Sequence, residues 1–195
     1  MATLDYYNTH ADEYTEHTVH LDFSATQDRF LACLEPHAHI LDFGCGSGRD
    51  SLYFLQHGYQ VTAIDGSSEL CKKARELTGL QVRQQLFQDL NDREAYDGIW
   101  ACSSILHLDK ATLIEVFNRI ANALKPGGFL YTSFKYGTFE GERHGRYFTD
   151  FTWETFQQFH EETDSKLLII DHWITHDIRP GRGDEQWLNL LFRKH

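Results

Sequence analysis

The residues of this sequence that most clearly suggest chemistry form a glycine-rich turn. Gly44, Gly46 and Gly48 stand at alternate positions in LDFGCGSG, directly after the apolar run HILDF. Glycine weakens regular structure, so three in one turn indicate that the bare main chain must approach a ligand closely. The acid Asp42 stands near the end of the apolar run, and the small thiol Cys45 lies inside the turn. The pattern predicts a ligand-binding loop after a buried strand.

Two common phosphate-binding motifs do not match this turn. A dinucleotide site has the spacing G-x-G-x-x-G, and Arg49 stands where its third glycine would be. A P-loop has a Lys and then a Ser or Thr after its last glycine, and Arg-Asp follows Gly48 instead. The spacing therefore disfavours both motifs, and a dinucleotide cofactor stays as the weaker alternative.

The elements that must position this turn follow a regular alternation of strand and helix patterns. Strands are predicted at 39–43, 60–65, 81–87, 96–103, 129–136, 166–176 and 185–194. Such alternation implies a parallel sheet with helices on both faces, in which ligands bind beyond the carboxyl ends of the strands. The loop DIRPGRGD between the last two strands is too short for a crossover helix, so those two strands must be antiparallel.

The glycine turn resembles the first motif of the class I AdoMet-dependent methyltransferases, D/E-x-G-x-G-x-G, and the resemblance extends from Ile40 to about Ser133. The later motifs follow in register, with Asp65 closing the second strand, Asp89 after the third and KPGG before the fifth. Within the family, the first motif looks most like that of tellurite-resistance and related small-molecule methyltransferases. The resemblance implies a Rossmann-like fold of the α/β class, a seven-stranded mixed sheet whose last strand is antiparallel. It also implies S-adenosyl-L-methionine as cofactor and S-adenosyl-L-homocysteine as product.

The resemblance assigns a role to several positions. Asp65 would accept hydrogen bonds from both ribose hydroxyls, Asp89 would contact the adenine amino group with Leu90 beside the ring, and Asp42 would help to hold the methionine ammonium group. The alternatives are a turn-capping role for Asp42 and surface carboxylates at the other two positions. The predicted cofactor-binding set is Asp42, Gly44, Cys45, Gly46, Gly48, Asp65, Gly66, Ser67, Asp89, Leu90, Ser103 and Tyr14.

One histidine is the candidate catalytic residue. His107, in CSSILHLD, follows the fourth strand and therefore falls on the cofactor side of the sheet. It could serve as a general base if the acceptor must lose a proton, or it could merely line the pocket. The same stretch has Ser103 and Ser104 in place of the [ND]PP[YF] signature, which disfavours methylation of nucleic-acid bases or amides.

The methyl acceptor is predicted to bind under an N-terminal lid and against arginine-containing loops. Residues 1–36 are interpreted as a helical lid or extension and residues 37–195 as the cofactor-binding domain. The predicted acceptor-binding set is Tyr6, Tyr7, Tyr136, Arg143, Arg146, Tyr147, Arg179 and Arg182. Because the chain has a net charge of −11, arginines gathered at one edge would favour an anionic small molecule. The alternative is that these arginines pair with Glu140, Glu142, Asp184 and Glu185 in their own loops.

The composition of the chain limits the kinds of binding partner and the cellular compartment that the sequence predicts. The acidic charge and the absence of a basic run make a nucleic-acid partner unlikely. No apolar run reaches the ~20 residues of a membrane span, and the four cysteines contain no CxxC pair. The twelve histidines show no metal-ligand spacing, so no metal is expected. The sequence thus predicts a cytoplasmic small-molecule methyltransferase, a monomer or homodimer; an AdoMet-binding regulatory module and a protein or RNA methyltransferase remain open.

Overall fold

A seven-stranded sheet forms the centre of the molecule. The computed structural model describes residues 2–195, so Met1, the first residue of the predicted lid, lies outside it. The strands are β1 His39–Phe43, β2 Gln60–Asp65, β3 Arg83–Gln84, β4 Tyr96–Ala101, β5 Leu124–Lys135, β8 Leu167–His176 and β9 Gln186–Lys194, and a separate hairpin contains β6 Glu140–Arg143 and β7 Arg146–Thr149. The order across the sheet is β3-β2-β1-β4-β5-β9-β8. The first five strands are parallel, and β9 is antiparallel to both of its neighbours. The predicted fold class is therefore confirmed.

The order reverses between β1 and β4, because β2 and β3 extend the sheet in one direction from β1 and the later strands extend it in the other. A crevice forms at such a reversal, beyond the carboxyl ends of the two diverging strands. The glycine turn begins directly after β1, so the fold places the turn in this crevice.

Helices cover both faces of the sheet. They are α1 Ala2–Thr9, α2 Ala11–Thr18, α3 Ser24–Leu31, α4 Arg49–Gln56, α5 Ser68–Thr78, α6 Lys110–Ala123 and α7 Trp153–Glu161. On one face, Phe30 and Phe54 pack against Trp100 of β4. On the other face, Phe117 and Phe156 pack against the far side of the sheet. Burial of these large aromatic side chains on both faces provides the apolar driving force for the layered arrangement.

Three predicted elements differ by more than two residues from the structure, and one of them is the fifth strand, which begins at Leu124 instead of residue 129. The third strand comprises only Arg83 and Gln84 instead of residues 81–87. The stretch after β5, predicted as a loop, forms the β6–β7 hairpin, whose two-residue turn is His144–Gly145. Both turn residues have positive φ, 52° and 74°, which is the conformation that lets a two-residue turn match the twist of the flanking strands. The hairpin was missed because EGERHGRYFT has no continuous apolar alternation.

No helix formed by residues 2–195 combines the length and the apolar character that crossing a membrane requires.

Candidate functional site

Close contacts with protein neighbours, and not only the approach of a ligand, require glycine in this turn. Gly44, Gly46 and Gly48 all have left-handed φ values, 89°, 54° and 91°. A Cβ on Gly44 would lie 2.4 Å from the Cβ of Ser104, and a Cβ on Gly48 would lie 3.1 Å from the Cα of Ala74. Gly44 and Gly48 are therefore required by their protein neighbours, whereas a Cβ on Gly46 would lie 3.3 Å from a ring carbon of Tyr14.

Replacement of Gly44 tests whether close packing against Ser104 adds to the cost of the left-handed φ. Gly44→Ala should lower the free energy of unfolding by about 3 kcal/mol, because a left-handed φ and overpacking each cost one to a few kcal/mol. Gly79→Ala is the matched control: Gly79 has φ 74° and no atom within 4 Å of the added Cβ, so about 1 kcal/mol is expected. Urea unfolding of both variants measures this difference, and equal losses would contradict the packing argument.

Two buried carboxyl groups, those of Asp42 and Asp50, flank the glycine turn along the chain. Asp42, 2% exposed, accepts a hydrogen bond of 2.6 Å from the hydroxyl of Ser51. Burial, reinforced by the nearby Asp50 carboxylate, raises the pKa of Asp42 to about 8. Burial alone would raise the pKa of Asp50. The Arg49 guanidinium and the hydrogen bonds to Asp50 outweigh burial, so the pKa of Asp50 lies below its ordinary value. At neutral pH, Asp42 therefore holds a proton and Asp50 a negative charge.

Arg49 is a cavity residue outside the site that the sequence predicts. Its Nε donates to Asp50 at 2.8 Å, and its side chain lines the cavity together with Cys45 and Ser47. Gln27 and Trp100 donate two further hydrogen bonds to Asp50, at 2.7 and 2.8 Å. The only sequence signal was the place of Arg49, where a dinucleotide motif has its third glycine.

The acid at the end of β2 joins the glycine turn to the start of α5. One carboxylate oxygen of Asp65 accepts the N–H of Gly46 at 2.9 Å, and the other accepts the N–H of Ser67 at 2.8 Å. Burial raises the pKa of Asp65 although these backbone hydrogen bonds favour its charged form. Each carboxylate oxygen can accept more than one hydrogen bond, so Asp65 keeps acceptor capacity toward a ligand.

Helix α1 covers the part of the site next to Asp65. The hydroxyl of Ser67 donates to the side-chain oxygen of Asn8 at 2.7 Å. A Cβ on Gly66 would lie 2.8 Å from a methyl carbon of Leu4. Of the two positions predicted for adenine, Asp89 is exposed, whereas Leu90 is 1% exposed and belongs to the main core.

A cavity of about 880 Å³ opens between the glycine turn, the N-terminal helices and the β6–β7 hairpin. This volume is within the range of small-molecule sites. The cavity wall includes many of the predicted residues, namely Tyr6, Tyr7, Tyr14, Gly44, Cys45, Ser103, His107, Tyr136, Arg143, Arg146, Arg179 and Arg182. It does not include Asp42, Gly46, Gly48, Asp65, Gly66, Ser67, Asp89, Leu90 or Tyr147. The structure thus gathers most of the predicted acceptor-binding residues around one space with Gly44 and Cys45 of the glycine turn, whereas α1 covers Gly66 and Ser67.

Most of the arginines on the cavity wall are paired with carboxylates. Arg143 contacts Asp150 at 2.6 Å, and Arg179 forms an ion pair with Asp177. Arg182 lies 3.8 Å from Glu185, which also pairs with Lys135. The alternative interpretation, pairing within the loops, therefore applies to these three arginines, although only Glu185 is a partner that it named.

His107 is enclosed by hydrogen bonds on both sides. Its Nδ1 lies 2.6 Å from the carbonyl oxygen of Tyr147, and its Nε2 lies 2.8 Å from the hydroxyl of Tyr7. Burial lowers the pKa of His107 to about 4, and the nearby Arg146 and Arg143 contribute in the same direction. The ring is therefore neutral. Because a carbonyl can only accept, Nδ1 carries the hydrogen and Nε2 accepts from Tyr7.

A cofactor crevice at the order reversal, a glycine turn after β1 and an acid ending β2 together define the class I AdoMet-dependent methyltransferase fold. Residues 40–128 match the family model described as a methyltransferase domain. This match confirms the family resemblance predicted from the glycine turn and the later motifs.

Named relatives agree with this assignment over part of their length. YqeM of Bacillus subtilis, provisionally named a methyltransferase, is 31% identical over 66% of this chain and 57% of its own. The ubiquinone biosynthesis O-methyltransferase of Xanthomonas axonopodis pv. citri is 40% identical over 52% of this chain and 45% of its own. The chain thus spans about half the length of these curated relatives.

A solved structure shares the fold over nearly the whole chain. It is the Burkholderia thailandensis 1,6-didemethyltoxoflavin-N1-methyltransferase with bound 1,6-didemethyltoxoflavin and S-adenosylhomocysteine. Its TM-score is 0.77 at 24% identity, and the alignment covers 98% of this chain and 84% of that one.

Proposed function

We propose that this protein transfers a methyl group from S-adenosyl-L-methionine to a small anionic molecule. The observation that carries the proposal is the buried carboxylate of Asp65, which joins the turn amide of Gly46 to the start of α5. A ribose presents two hydroxyl donors, which suit a carboxylate with remaining acceptor capacity and leave no need for a phosphate-binding turn. The small-molecule methyltransferases among the relatives and the fold neighbours support a small-molecule acceptor.

The chain's own residues would hold the cofactor along the crevice. Asp65 would bind the ribose, Asp89 would contact the adenine amino group, and Asp42 and the glycine turn would hold the methionine end. Leu90, whose side chain is buried in the main core, would adjoin the adenine only through its backbone. Tyr14, whose ring lies against Gly46, would cover that end. Residues 1–36 would act as the lid: Leu4 covers Gly66, so α1 must shift for the adenosine to enter.

The chemistry that this cofactor supplies is a methyl group on a positively charged sulfur. Transfer is an in-line displacement in which the positive charge disappears, so alignment and exclusion of water can provide much of the rate. The cavity residues would orient the acceptor, and a base is required only if the acceptor's reacting atom carries a proton. Since both ring nitrogens of His107 are already hydrogen-bonded, His107 would contribute mainly by holding Tyr7.

The direct test is calorimetry of the pure protein with S-adenosylmethionine and S-adenosylhomocysteine, followed by turnover with mixed small molecules. Binding of both compounds, with release of S-adenosylhomocysteine only when small molecules are added, is the expected result. Binding without turnover would favour a regulatory module, and labelled methyl groups in macromolecules would favour a protein or RNA acceptor. Binding of NAD(H) with no heat from either sulfur compound would reject the proposal.

The state of Asp42 predicts proton release when the cofactor product binds. With its pKa raised to about 8, Asp42 is mostly protonated at pH 7; a nearby ammonium group favours its ionised form, so about one proton should leave. Affinity for S-adenosylhomocysteine should therefore rise from pH 6 to pH 8 and level off above it. Calorimetry at pH 7 in Tris and in phosphate measures the released protons. Asp42→Asn should release none, and equal heats in both buffers for the natural protein would contradict the prediction.

A further inference from the structure

Arg146 differs from the other arginines of the cavity wall. Among residues 2–195, no carboxylate lies within ion-pair distance of its guanidinium, and its Nε is buried without a hydrogen-bond partner. Within the described part of the chain, its one side-chain hydrogen bond joins Nη1 to the hydroxyl of Tyr7 at 3.4 Å. A partly desolvated cation without a counter-charge is costly for a folded protein. Such a cost is expected where a ligand supplies the missing charge.

Aromatic rings determine which part of Arg146 a ligand can reach. The guanidinium carbon lies over the ring of Tyr6, 4.5 Å from its centre, and over that of Phe148 at 5.1 Å. These contacts stabilise the cation through its flat faces. The N–H groups of Nη1 and Nη2 that Tyr7 does not bind therefore remain for a ligand, and two neighbouring N–H groups suit a planar group with two acceptor oxygens.

Tyr7 binds the guanidinium of Arg146 through its hydroxyl, and His107 binds Tyr7. The hydroxyl hydrogen of Tyr7 is donated to Nε2 of His107, so the Tyr7 oxygen is left to accept from Arg146. The Nδ1–H of His107 is in turn fixed by the carbonyl of Tyr147, the next residue after Arg146. The chain of hydrogen bonds therefore connects α1, the loop after β4 and the β6–β7 hairpin in one fixed arrangement.

We propose that Arg146 binds a carboxylate of the methyl acceptor and that His107 is a positioning residue that acts through Tyr7. This inference rests on the proposed methyl transfer and names the chemical class of its acceptor. One planar charge of −1 matches Arg146, the one arginine among the described residues of the cavity wall that has no carboxylate partner. A phosphate with nearly two charges would need a second unpaired donor group, and the neighbouring Arg143 and Arg179 already have carboxylate partners.

The test uses protein saturated with S-adenosylhomocysteine and titrated by calorimetry with benzoate, with its neutral analogue benzamide, and with inorganic phosphate. We expect benzoate to bind at least tenfold more tightly than benzamide or phosphate. Arg146→Gln should remove this preference for benzoate, and Arg146→Lys should keep only part of it because an ammonium lacks the planar fork. Arg193→Gln is the matched control: Arg193 is an exposed arginine over Phe129, outside the cavity, and the variant should keep the full preference.

The role of His107 is tested by two substitutions that differ in one hydrogen-bond acceptor. The side-chain oxygen of Gln can accept from Tyr7, so His107→Gln should keep benzoate affinity within about threefold, whereas His107→Leu should lose about tenfold, the effect of one hydrogen bond to a charged network. Equal losses in the two variants would overturn the positioning role. Absence of benzoate binding, tighter phosphate binding, or full preference in Arg146→Gln would overturn the carboxylate site. Failure of S-adenosylhomocysteine itself to bind would reject the proposed function instead, so the two failures are distinguishable.

Discussion

Asp65→Ala should lower the affinity for S-adenosylhomocysteine by about 100-fold or more. Two hydrogen bonds from ribose hydroxyls to a charged acceptor contribute about 3 kcal/mol together, which corresponds to about 100-fold. The substitution also removes the acceptor for the N–H groups of Gly46 and Ser67, so the glycine turn would lose its anchor. Calorimetry with the natural protein and the variant measures the loss.

A ligand analogue separates ribose binding from damage to the turn. An S-adenosylhomocysteine analogue without both ribose hydroxyls should bind weakly to the natural protein and should lose little further affinity in Asp65→Ala, because the deleted partners belong to one interaction. Asp89→Asn, at an exposed position, should cost less than Asp65→Ala. Equal affinity of the natural protein for the analogue and the full ligand would contradict the ribose role of Asp65.

Asp50→Ala should lower the free energy of unfolding by about 4 kcal/mol, the cost typical of breaking one side of a buried ion pair. Asp50 is 7% exposed and accepts hydrogen bonds from Arg49, Gln27 and Trp100. Its removal would leave a mostly buried guanidinium and two buried N–H donors without a partner. Urea unfolding without ligand gives the free energy, and the tryptophan emission of the folded state reports on the surroundings of Trp100.

An exposed ion pair provides the control for Asp50. Asp12 pairs with Lys73 at 2.5 Å, yet its side chain is 82% exposed. Asp12→Ala should leave the free energy of unfolding unchanged within experimental error, because water already screens this pair. Similar losses in the two variants would show that burial does not decide the contribution of Asp50.

Features that depend on neighbouring residues in the chain were predicted well. The alternating patterns predicted a parallel sheet with helices on both faces, because a strand and the helix that returns from it must be adjacent along the chain. The short loop DIRPGRGD was sufficient to predict that β8 and β9 are antiparallel, as they are. The glycine turn could be placed at the edge of the sheet because it follows β1 without a gap.

Features that depend on distant residues could not be predicted in detail. The sequence shows four arginines in two loops, but it does not show that Arg143 pairs with Asp150 and Arg179 with Asp177, which leaves Arg146 without a carboxylate. Likewise, Tyr7 and His107 are separated by 100 positions and meet only because α1 packs beside the loop after β4. Because of this contact and the one with Tyr147, both ring nitrogens of His107 take part in hydrogen bonds.

The sequence by itself determined the class of fold, the glycine-rich turn after the first strand and the acid at the end of the second strand. Each is specified by the local pattern of apolar residues, glycine and charge, which restricts the backbone directly. Only the tertiary structure decided which ionisable side chains are paired, which are buried, and which face the cavity. Charge state and hydrogen bonding depend on the groups within a few ångströms, and in this protein those groups come from segments far apart in the chain.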